Sequence, residues 1–415
     1  MTPWFEYPEQ QWREKHAVVV GAGIAGCQIS WHLSKLGWRI TLLEREERIS
    51  SQASGNLAGI ISPLMSAKPS KTEQFYWQAF EYTIQHLQEL MAAGAKVDWF
   101  DCGVLQLAHS ERELKRWQAL KERQLPTAFI QLLDKHQASE VAGIPCHYPA
   151  NYFPQAGYIN PASWCQVLID HSQCELITSA DVDALVLDDD KQWLVQNSAG
   201  DLLASAEVVV LSNGRDINLF SQSEQLPFAH VLGQTTLAKT SAASSELKCA
   251  INHEGYVTPA YQNTHVFGAT FEREFEKIEL DERADRLNLE QLSIHLPELA
   301  ADFEGFDTGH ASVRSAAPDR LPYVGGVHDR AYYLEEYVSL KHGRLSPDYS
   351  AAMYCNGLYV LSGLGSRGLT SGSLCAKALS ELINNNLSAD SSNLLKTSHL
   401  ARFLVNQIKR GEVLA

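Results

Sequence analysis

The spacing of apolar and polar residues changes period several times along the chain. Ala17–Val20 is an unbroken, β-branched run, and the glycines from Gly21 to Gly26 interrupt it. Cys27–Leu36 then carries apolar residues at helical spacing with Gly37 placed as a C-cap, and Trp38–Leu43 returns to strand character. Residues 72–92 have helix-spaced apolar positions ending near Gly94, and Ser110–Gln124 predicts a charged amphipathic helix. From Asp181 to Leu211 the pattern shortens into strands (D-V-D-A-L-V-L, W-L-V-Q-N and E-V-V-V-L), and 226–271 is again strand-rich. Asp281–Leu299 is helical, and G-L-Y-V-L-S with a helix after Gly372 closes the fold. Met1–Lys15, with two prolines and no clear period, reads as a tail or linker.

The order of these elements predicts the architecture. A strand–glycine turn–helix–strand unit opens the chain, mixed strands fill the middle, and a strand–glycine–helix element returns near the end. This predicts an α/β (α+β) protein: a Rossmann-like nucleotide domain built from separated segments, with a mixed-β substrate domain inserted. The expected boundaries are 16–90, 150–225 and 340–400 for the first, and 91–149 with 226–339 for the second.

Composition narrows the function classes. At 415 residues, with 45% hydrophobic and 20% charged, the chain is long enough for one large or two ordinary cores. Its apolar runs are too short to span a bilayer, and Met1–Gln11 lacks the apolar stretch of a secretory signal, so a cytoplasmic protein is expected. The eight cysteines show no C-x-x-C pair and no metal-like spacing with histidine, so scattered reduced thiols are expected and no metal site. A net charge of −15 argues against broad non-specific binding to nucleic acid, but leaves room for a local basic patch.

The strongest chemical signal is the segment A-V-V-V-G-A-G-I-A-G, in which Gly21, Gly23 and Gly26 form G-x-G-x-x-G directly after a strand and at the head of a helix. Gly21 permits the tight turn, Gly23 lets backbone approach a pyrophosphate, and Gly26 lets helix and strand pack closely. The helix start, including Ile24 and Ala25, offers free N–H groups and a partial positive charge to phosphates. Glu44 ends the second strand 18 residues after Gly26, where its carboxylate can hold an adenosine ribose, with Arg45 beside it. This fingerprint does not separate NAD from FAD.

Later segments resemble the D-amino-acid oxidase/glycine oxidase family, and that resemblance implies FAD. Arg48–Leu64 (R-I-S-S-Q-A-S-G-N-L-A-G-I-I-S-P-L) is similar to the small-residue loop that lies along FAD in that family, which implicates Ser51, Ala53, Ser54, Gly59 and Ile60. Val208–Gly214 resembles the turn that closes the family's nucleotide domain, implicating Gly214. Residues 357–374 (G-L-Y-V-L-S-G-L-G-S-R-G-L-T-S-G-S-L) resemble its flavin-contacting turn and helix, implicating Gly363, Gly365, Ser366, Arg367, Gly368, Leu369 and Thr370. No cysteine or histidine is placed by motif to tether a flavin, so the FAD is expected to be non-covalent. On the substrate side, Gly255–Phe271 resembles the strand pair under the flavin, with Tyr256 matching a substrate-holding tyrosine. Val313–Gly325 (V-R-S-A-A-P-D-R-L-P-Y-V-G) resembles the family's arginine segment, and Arg314 matches the residue that grips the substrate carboxylate. No histidine is singled out as catalytic.

The pair A-A-P-D-R-L-P-Y-V-G and G-L-G-S-R-G-L-T is similar to the FAD domain of the bifunctional family that builds 5-methylaminomethyl-2-thiouridine in tRNA. That resemblance implies oxidative removal of the carboxymethyl group from 5-carboxymethylaminomethyl(-2-thio)uridine at the wobble position, giving the 5-aminomethyl form and glyoxylate. It implies tRNA as substrate and an S-adenosylmethionine-dependent methyltransferase as a fused or separate partner. The methyltransferase is absent from this sequence, whose Pro/aromatic start suits either a single-function form or a fragment cut at a linker. Lys341, His342 and Arg344 form a small basic cluster, and Tyr332, Tyr333 and Tyr337 are candidates to stack on bases. Two rival readings stay open: an oxidase of free glycine or sarcosine, and a non-enzymic tRNA-binding flavoprotein.

Overall fold

In the computed structural model, which describes residues 2–303, 305–343 and 349–412, the first apolar run becomes the strand His16–Val20 near the centre of a six-stranded sheet. Arg39–Leu43 and Val208–Leu211 flank it in parallel. Cys174–Ile177 and Tyr354–Ser362 extend the two sides in parallel, and the antiparallel Tyr323–His328 forms one edge. Ala17 and Val19 face one core while Val18 and Val20 face another, which is why the run is apolar without alternation: a parallel sheet is covered on both faces. Helices cover the first face. Ile24–Lys35 buries Cys27, Ile29 and Leu33 there, packed against Gly368–Ile383 and Pro161–Asp170. A small antiparallel sheet of Ala184–Leu187, Trp193–Gln196 and Leu202–Ala206 covers the second, contributing Leu185, Trp193 and Val195.

The second large element is an eight-stranded mixed sheet in which the long strands Ala229–Lys239 and Asp307–Ala316 pair antiparallel at one side. Thr264–Gly268, Tyr256–Val257 and Ala250–Asn252 continue it toward Val104–Leu107, Ala150–Phe153 and Gln131–Leu133. Helices Lys135–Ala142, Glu282–His295 and Pro297–Ala301 close its outer face around Leu105, Ile251, Phe267 and Leu292. The helices expected at 72–92 and Ser110–Gln124 form as Lys71–Ala92 and Glu111–Lys121, each capped by the serine before it, Ser70 and Ser110. All eight cysteines are free thiols.

The structure differs from the sequence expectations at four places. Tyr323–His328 belongs to the six-stranded sheet and not to the inserted one, because all six of its residues are buried against a core that its neighbour Tyr354–Ser362 shares. Ala150–Phe153 pairs within the eight-stranded sheet and not with the nucleotide strands. Residues 2–15, expected as a tail or linker, are anchored to the rest of the chain. Trp4 is 2% exposed against Tyr337 and Ile408, and Trp12 Nε1 donates to the Ile383 carbonyl at 2.8 Å. Burying an indole is worth several kcal/mol, enough to hold a short segment that carries no regular period.

The described part of 326–357 carries the three tyrosines expected as candidates to stack on bases. It forms the helix Arg330–Glu336 and a turn through His342, in which Tyr333 and Tyr337 are fully buried. Their hydroxyls donate to the carbonyls of Trp4 and Ser350, at 2.6 and 2.9 Å, and the half-buried Tyr332 donates to that of Ala351 at 3.0 Å. With the helix Arg402–Arg410 they hold the N-terminal segment, and the fully buried Tyr333 and Tyr337 rings have no free face for bases. Lys341 and His342 are exposed, and Arg344 lies outside the described residues.

Candidate active site

The C-terminal ends of the parallel strands converge where the order of the six-stranded sheet turns at His16–Val20, the place where open α/β sheets bind ligands. There a cavity of about 1130 Å³ opens between this sheet and the eight-stranded one. That is above the usual 300–1,000 Å³ of small-molecule pockets, room for a dinucleotide with a substrate beside it. Every residue that the sequence assigned to FAD or to the substrate's carboxylate and amine lines it except Gly26, whereas Tyr332, Tyr333, Tyr337, Lys341 and His342 do not.

One wall is backbone. Gly21 has φ +96°, and a Cβ there would lie 2.8 Å from the Asn213 Cα, so only glycine fits this turn. A Cβ on Gly26 would fall 1.8 Å from the Gly21 carbonyl oxygen, which places Gly26 in the packing under the turn and off the cavity. Glu44, 8% exposed, is held rigidly: its carboxylate accepts the Ala22 N–H at 2.7 Å and the Glu46 N–H at 3.0 Å. The Ser54 hydroxyl accepts the Ile24 N–H at 3.0 Å, so the 51–60 loop caps the helix whose amides the sequence left free. Arg45 pairs with Asp216 at 2.8 Å.

Gly59 and Leu369 meet across the cavity floor, where a Cβ on Gly59 would strike the Leu369 side chain. The turn of Gly363, Gly365 and Ser366 and the first helical residues Gly368, Leu369 and Thr370 complete the rim, with Gly214, Ser51, Ala53, Ala25 and Ile60. Arg367 Nη1 donates to the Ser62 carbonyl at 3.3 Å, and its guanidinium lies 5.5 Å from the Tyr76 ring. Burial lowers its pKa from the usual arginine value, while Tyr76 opposes that.

The opposite wall is made of side chains from the eight-stranded sheet. Arg314 reaches across Gly233 of the neighbouring strand, where a Cβ would sit 1.7 Å from Nη2. This glycine escaped the sequence reading. Arg314 Nη2 donates to the Thr270 carbonyl at 2.9 Å, burial lowers its pKa, and among the described residues it has no carboxylate partner. Tyr256 donates its hydroxyl to the Ala58 carbonyl at 3.0 Å, tying the hairpin to the 51–60 loop. Burial raises its pKa and the nearby Arg314 opposes that rise.

Other lining residues escaped the sequence reading. The buried hydroxyls of Ser50 and Ser212 and the Asn213 side-chain oxygen have no hydrogen-bond partner among the described residues, and all three residues border the cavity. Ser50 also sits at φ +58°, strain that concentrates at ligand sites. Ser212 and Asn213 lie inside the quoted V-V-V-L-S-N-G and were within reach of that motif. Arg112, Arg215, Phe271, Arg273 and Arg320 line the cavity too, and no local pattern marks them.

Charge is distributed unevenly. Among the described residues the cavity borders Arg45, Arg112, Arg215, Arg273, Arg314, Arg320 and Arg367, against Glu44, Asp181, Asp216 and Glu254, and no lysine. Only Arg45 and Arg215 of these arginines form ion pairs among the described residues. A chain of net charge −15 thus gathers unpaired cations at one opening.

Comparison with known proteins bears on what binds there. Residues 16–382 match the family model described as FAD dependent oxidoreductase. The chain belongs to this family. It is 35% identical, over 99% of its length, to the tRNA 5-methylaminomethyl-2-thiouridine biosynthesis bifunctional protein MnmC of Pseudomonas syringae pv. tomato. The protein of that name from Chromobacterium violaceum is 33% identical, again over 99%. The chain spans 62% and 63% of these relatives. Glycine oxidase from Bacillus cereus superposes with a TM-score of 0.74 at 18% identity, over 94% of this chain and 99% of that one. Iminodiacetate oxidase from Chelativorans sp. gives 0.67 at 18% identity, over 90% and 96%. These structures share the fold predicted from the sequence.

FAD, the family's cofactor, suits the residues present. The glycine turn leaves backbone open to phosphates, the rigid Glu44 retains lone pairs for a ribose, and the orphaned polar atoms of Ser50, Ser212 and Asn213 want partners. Among the described residues, no helix is long and apolar enough to cross a membrane.

Proposed function

We propose that this FAD-dependent oxidoreductase removes the carboxymethyl group from 5-carboxymethylaminomethyl(-2-thio)uridine at the wobble position of tRNA, releasing the 5-aminomethyl form and glyoxylate. The observation that carries the reading is Arg314: a guanidinium on the cavity wall, held by one carbonyl and without a carboxylate partner among the described residues. Such a group suits a substrate carboxylate, which a planar fork binds bidentately. Bound FAD supplies the two-electron oxidation of the methylene between carboxylate and nitrogen, and water splits the resulting imine.

The chain's own residues orient the reacting carbon. Arg314 fixes the carboxylate. Tyr256, whose O–H already donates to the Ala58 carbonyl, has lone pairs left to accept the N–H of a neutral secondary amine. Glu44, the Gly21–Gly26 turn and the 51–60 loop hold the nucleotide end of FAD, with Gly214 and the 363–370 turn at its other end. Among the described residues no cysteine borders the cavity, which supports non-covalent retention: the purified protein should release intact FAD on acid denaturation. The division into a nucleotide half and an inserted substrate half is proposed with its borders moved to suit the strands described above.

The tRNA assignment draws on the names of the relatives and on the five unpaired arginines at an opening of an acidic chain, which answers the objection from net charge. A tRNA substrate implies a cytoplasmic enzyme, and the relatives' bifunctional names imply a methyltransferase partner. Family membership sets the non-enzymic reading aside. Oxidation of free glycine or sarcosine remains the rival, since the same anchor would hold either. Mass spectrometry of wobble uridines in modified tRNA, before and after incubation with the pure protein, tests the proposal. Loss of the carboxymethyl mass with equimolar glyoxylate is expected, and unchanged tRNA alongside brisk sarcosine oxidation overturns it.

A further inference from the structure

Among the described residues, Phe271 is the one phenylalanine, tyrosine or tryptophan that is exposed, at 63%, and it stands on the cavity. An apolar ring in water at a binding site costs free energy unless a partner covers it. The backbone beneath it is pinned. Leu232 and Glu272 exchange both N–H···O bonds at 2.9 Å, and the Thr270 N–H donates to Gln234 at 3.1 Å. The ring is therefore presented from a fixed position and is not the end of a loose loop.

Its neighbours specify what it would meet. The Thr270 carbonyl that holds Arg314 belongs to the residue immediately before Phe271, about 3.8 Å away along the Cα trace. In the proposed substrate, four single bonds of about 1.5 Å separate the carboxylate from the uracil ring, a reach of about 5 Å. Arg314 and Phe271 line the same cavity, so a carboxylate held on Arg314 leaves the pyrimidine to be met by another part of that lining, where the exposed Phe271 ring stands. The Arg273 guanidinium lies 5.7 Å from that ring, and no carboxylate pairs with it among the described residues. It is free to stack or to meet a phosphate.

The geometry points to Phe271 as the platform on which the substrate's nucleobase stacks, with Arg273 supporting the ring and the adjoining phosphate. This rests on the tRNA reading and makes Phe271 a positioning residue, setting how the arm enters and taking no part in bond making. Base–aromatic stacking tolerates any base, so specificity for the modified uridine is left to the arm itself.

The test compares flavin reduction in the parent, Phe271→Ala and Phe271→Trp by three substrates: the modified anticodon stem-loop, the free nucleoside 5-carboxymethylaminomethyluridine, and sarcosine, which has no base. Phe271→Ala should raise KM for the stem-loop and the nucleoside about 5- to 100-fold, the effect of deleting one stack, with kcat moving much less. The preference for nucleoside over sarcosine should shrink accordingly, and Phe271→Trp should restore it. Flavin content and Tm verify that the exposed substitution leaves the fold intact. If the parent oxidises the stem-loop and Phe271→Ala does so with the same KM, the stacking role is wrong and the tRNA reading stands. If the parent oxidises sarcosine but neither nucleoside nor stem-loop, the tRNA reading fails and the platform with it.

Discussion

The two walls of the cavity are built by opposite means. The nucleotide wall is backbone: a glycine turn at φ +96°, helix amides, and a carboxylate clamped by two N–H groups. The facing wall is side chains: Arg314 and Tyr256 stand on strands of the eight-stranded sheet, and Phe271 follows Thr264–Gly268 beside the Leu232–Glu272 bridge. A backbone wall suits a ligand common to a whole family, because its geometry depends on a few glycines. A side-chain wall can change its ligand one residue at a time. Retaining the cofactor and choosing the substrate should therefore be separable by mutation.

The largest separation is expected from Gly23→Val. Gly23 has φ −79°, and a Cβ there meets only the Ser54 hydroxyl at 3.3 Å, so the fold accommodates it while the branched side chain occupies the pyrophosphate's place. The variant should fold, as judged by circular dichroism, and purify almost colourless; a yellow Gly23→Val protein would break the backbone-wall account. Arg314→Met comes next. It should keep its flavin and lose about 2–5 kcal/mol of transition-state stabilisation toward carboxylated amines, at least tenfold in kcat/KM. Stopped-flow flavin reduction as fast as the parent's would remove Arg314 from its role.

Tyr256→Phe sharpens the contrast further, because its hydroxyl touches both walls. Losing the bond to Ala58 and the acceptor for an amine should cost about 1 kcal/mol, a several-fold rise in KM with flavin content unchanged. The smallest effect belongs to neither wall. Tyr333→Phe deletes the bond to the Trp4 carbonyl and should lower Tm by roughly 2 °C, or about 1 kcal/mol, leaving kcat/KM for any substrate as it was. A change in tRNA turnover in that variant would return Tyr333 to the RNA-binding surface.

How much of this was legible varies by residue. Gly21, Gly23, Gly26 and Glu44 were readable because strand, turn, helix and acid follow one another within a single unit, and each constraint is local. Arg314 and Tyr256 were reached through family resemblance; nothing in their spacing reveals that Arg314 hangs on Thr270, 44 residues earlier, or Tyr256 on Ala58, 198 residues earlier. Tyr333 and Tyr337 misled, since an aromatic-rich stretch between polar residues reads the same whether it faces solvent or the Trp4 indole. Phe271 went unremarked for the converse reason: a lone phenylalanine after an apolar strand looks like core.

The sequence by itself determined the nucleotide turn, the apolar runs of a sheet buried on both faces, and the mixed α/β order. These depend on contacts between near neighbours and on burial periodicity. Only the tertiary structure decided that Gly233 clears a path for Arg314, that the N-terminal residues pack on the C-terminal helix, and that, among the described residues, one phenylalanine ring stays exposed on the cavity that Arg314 lines. Each of these depends on which distant segments share a surface, and exposure is a property of that surface and not of the residue.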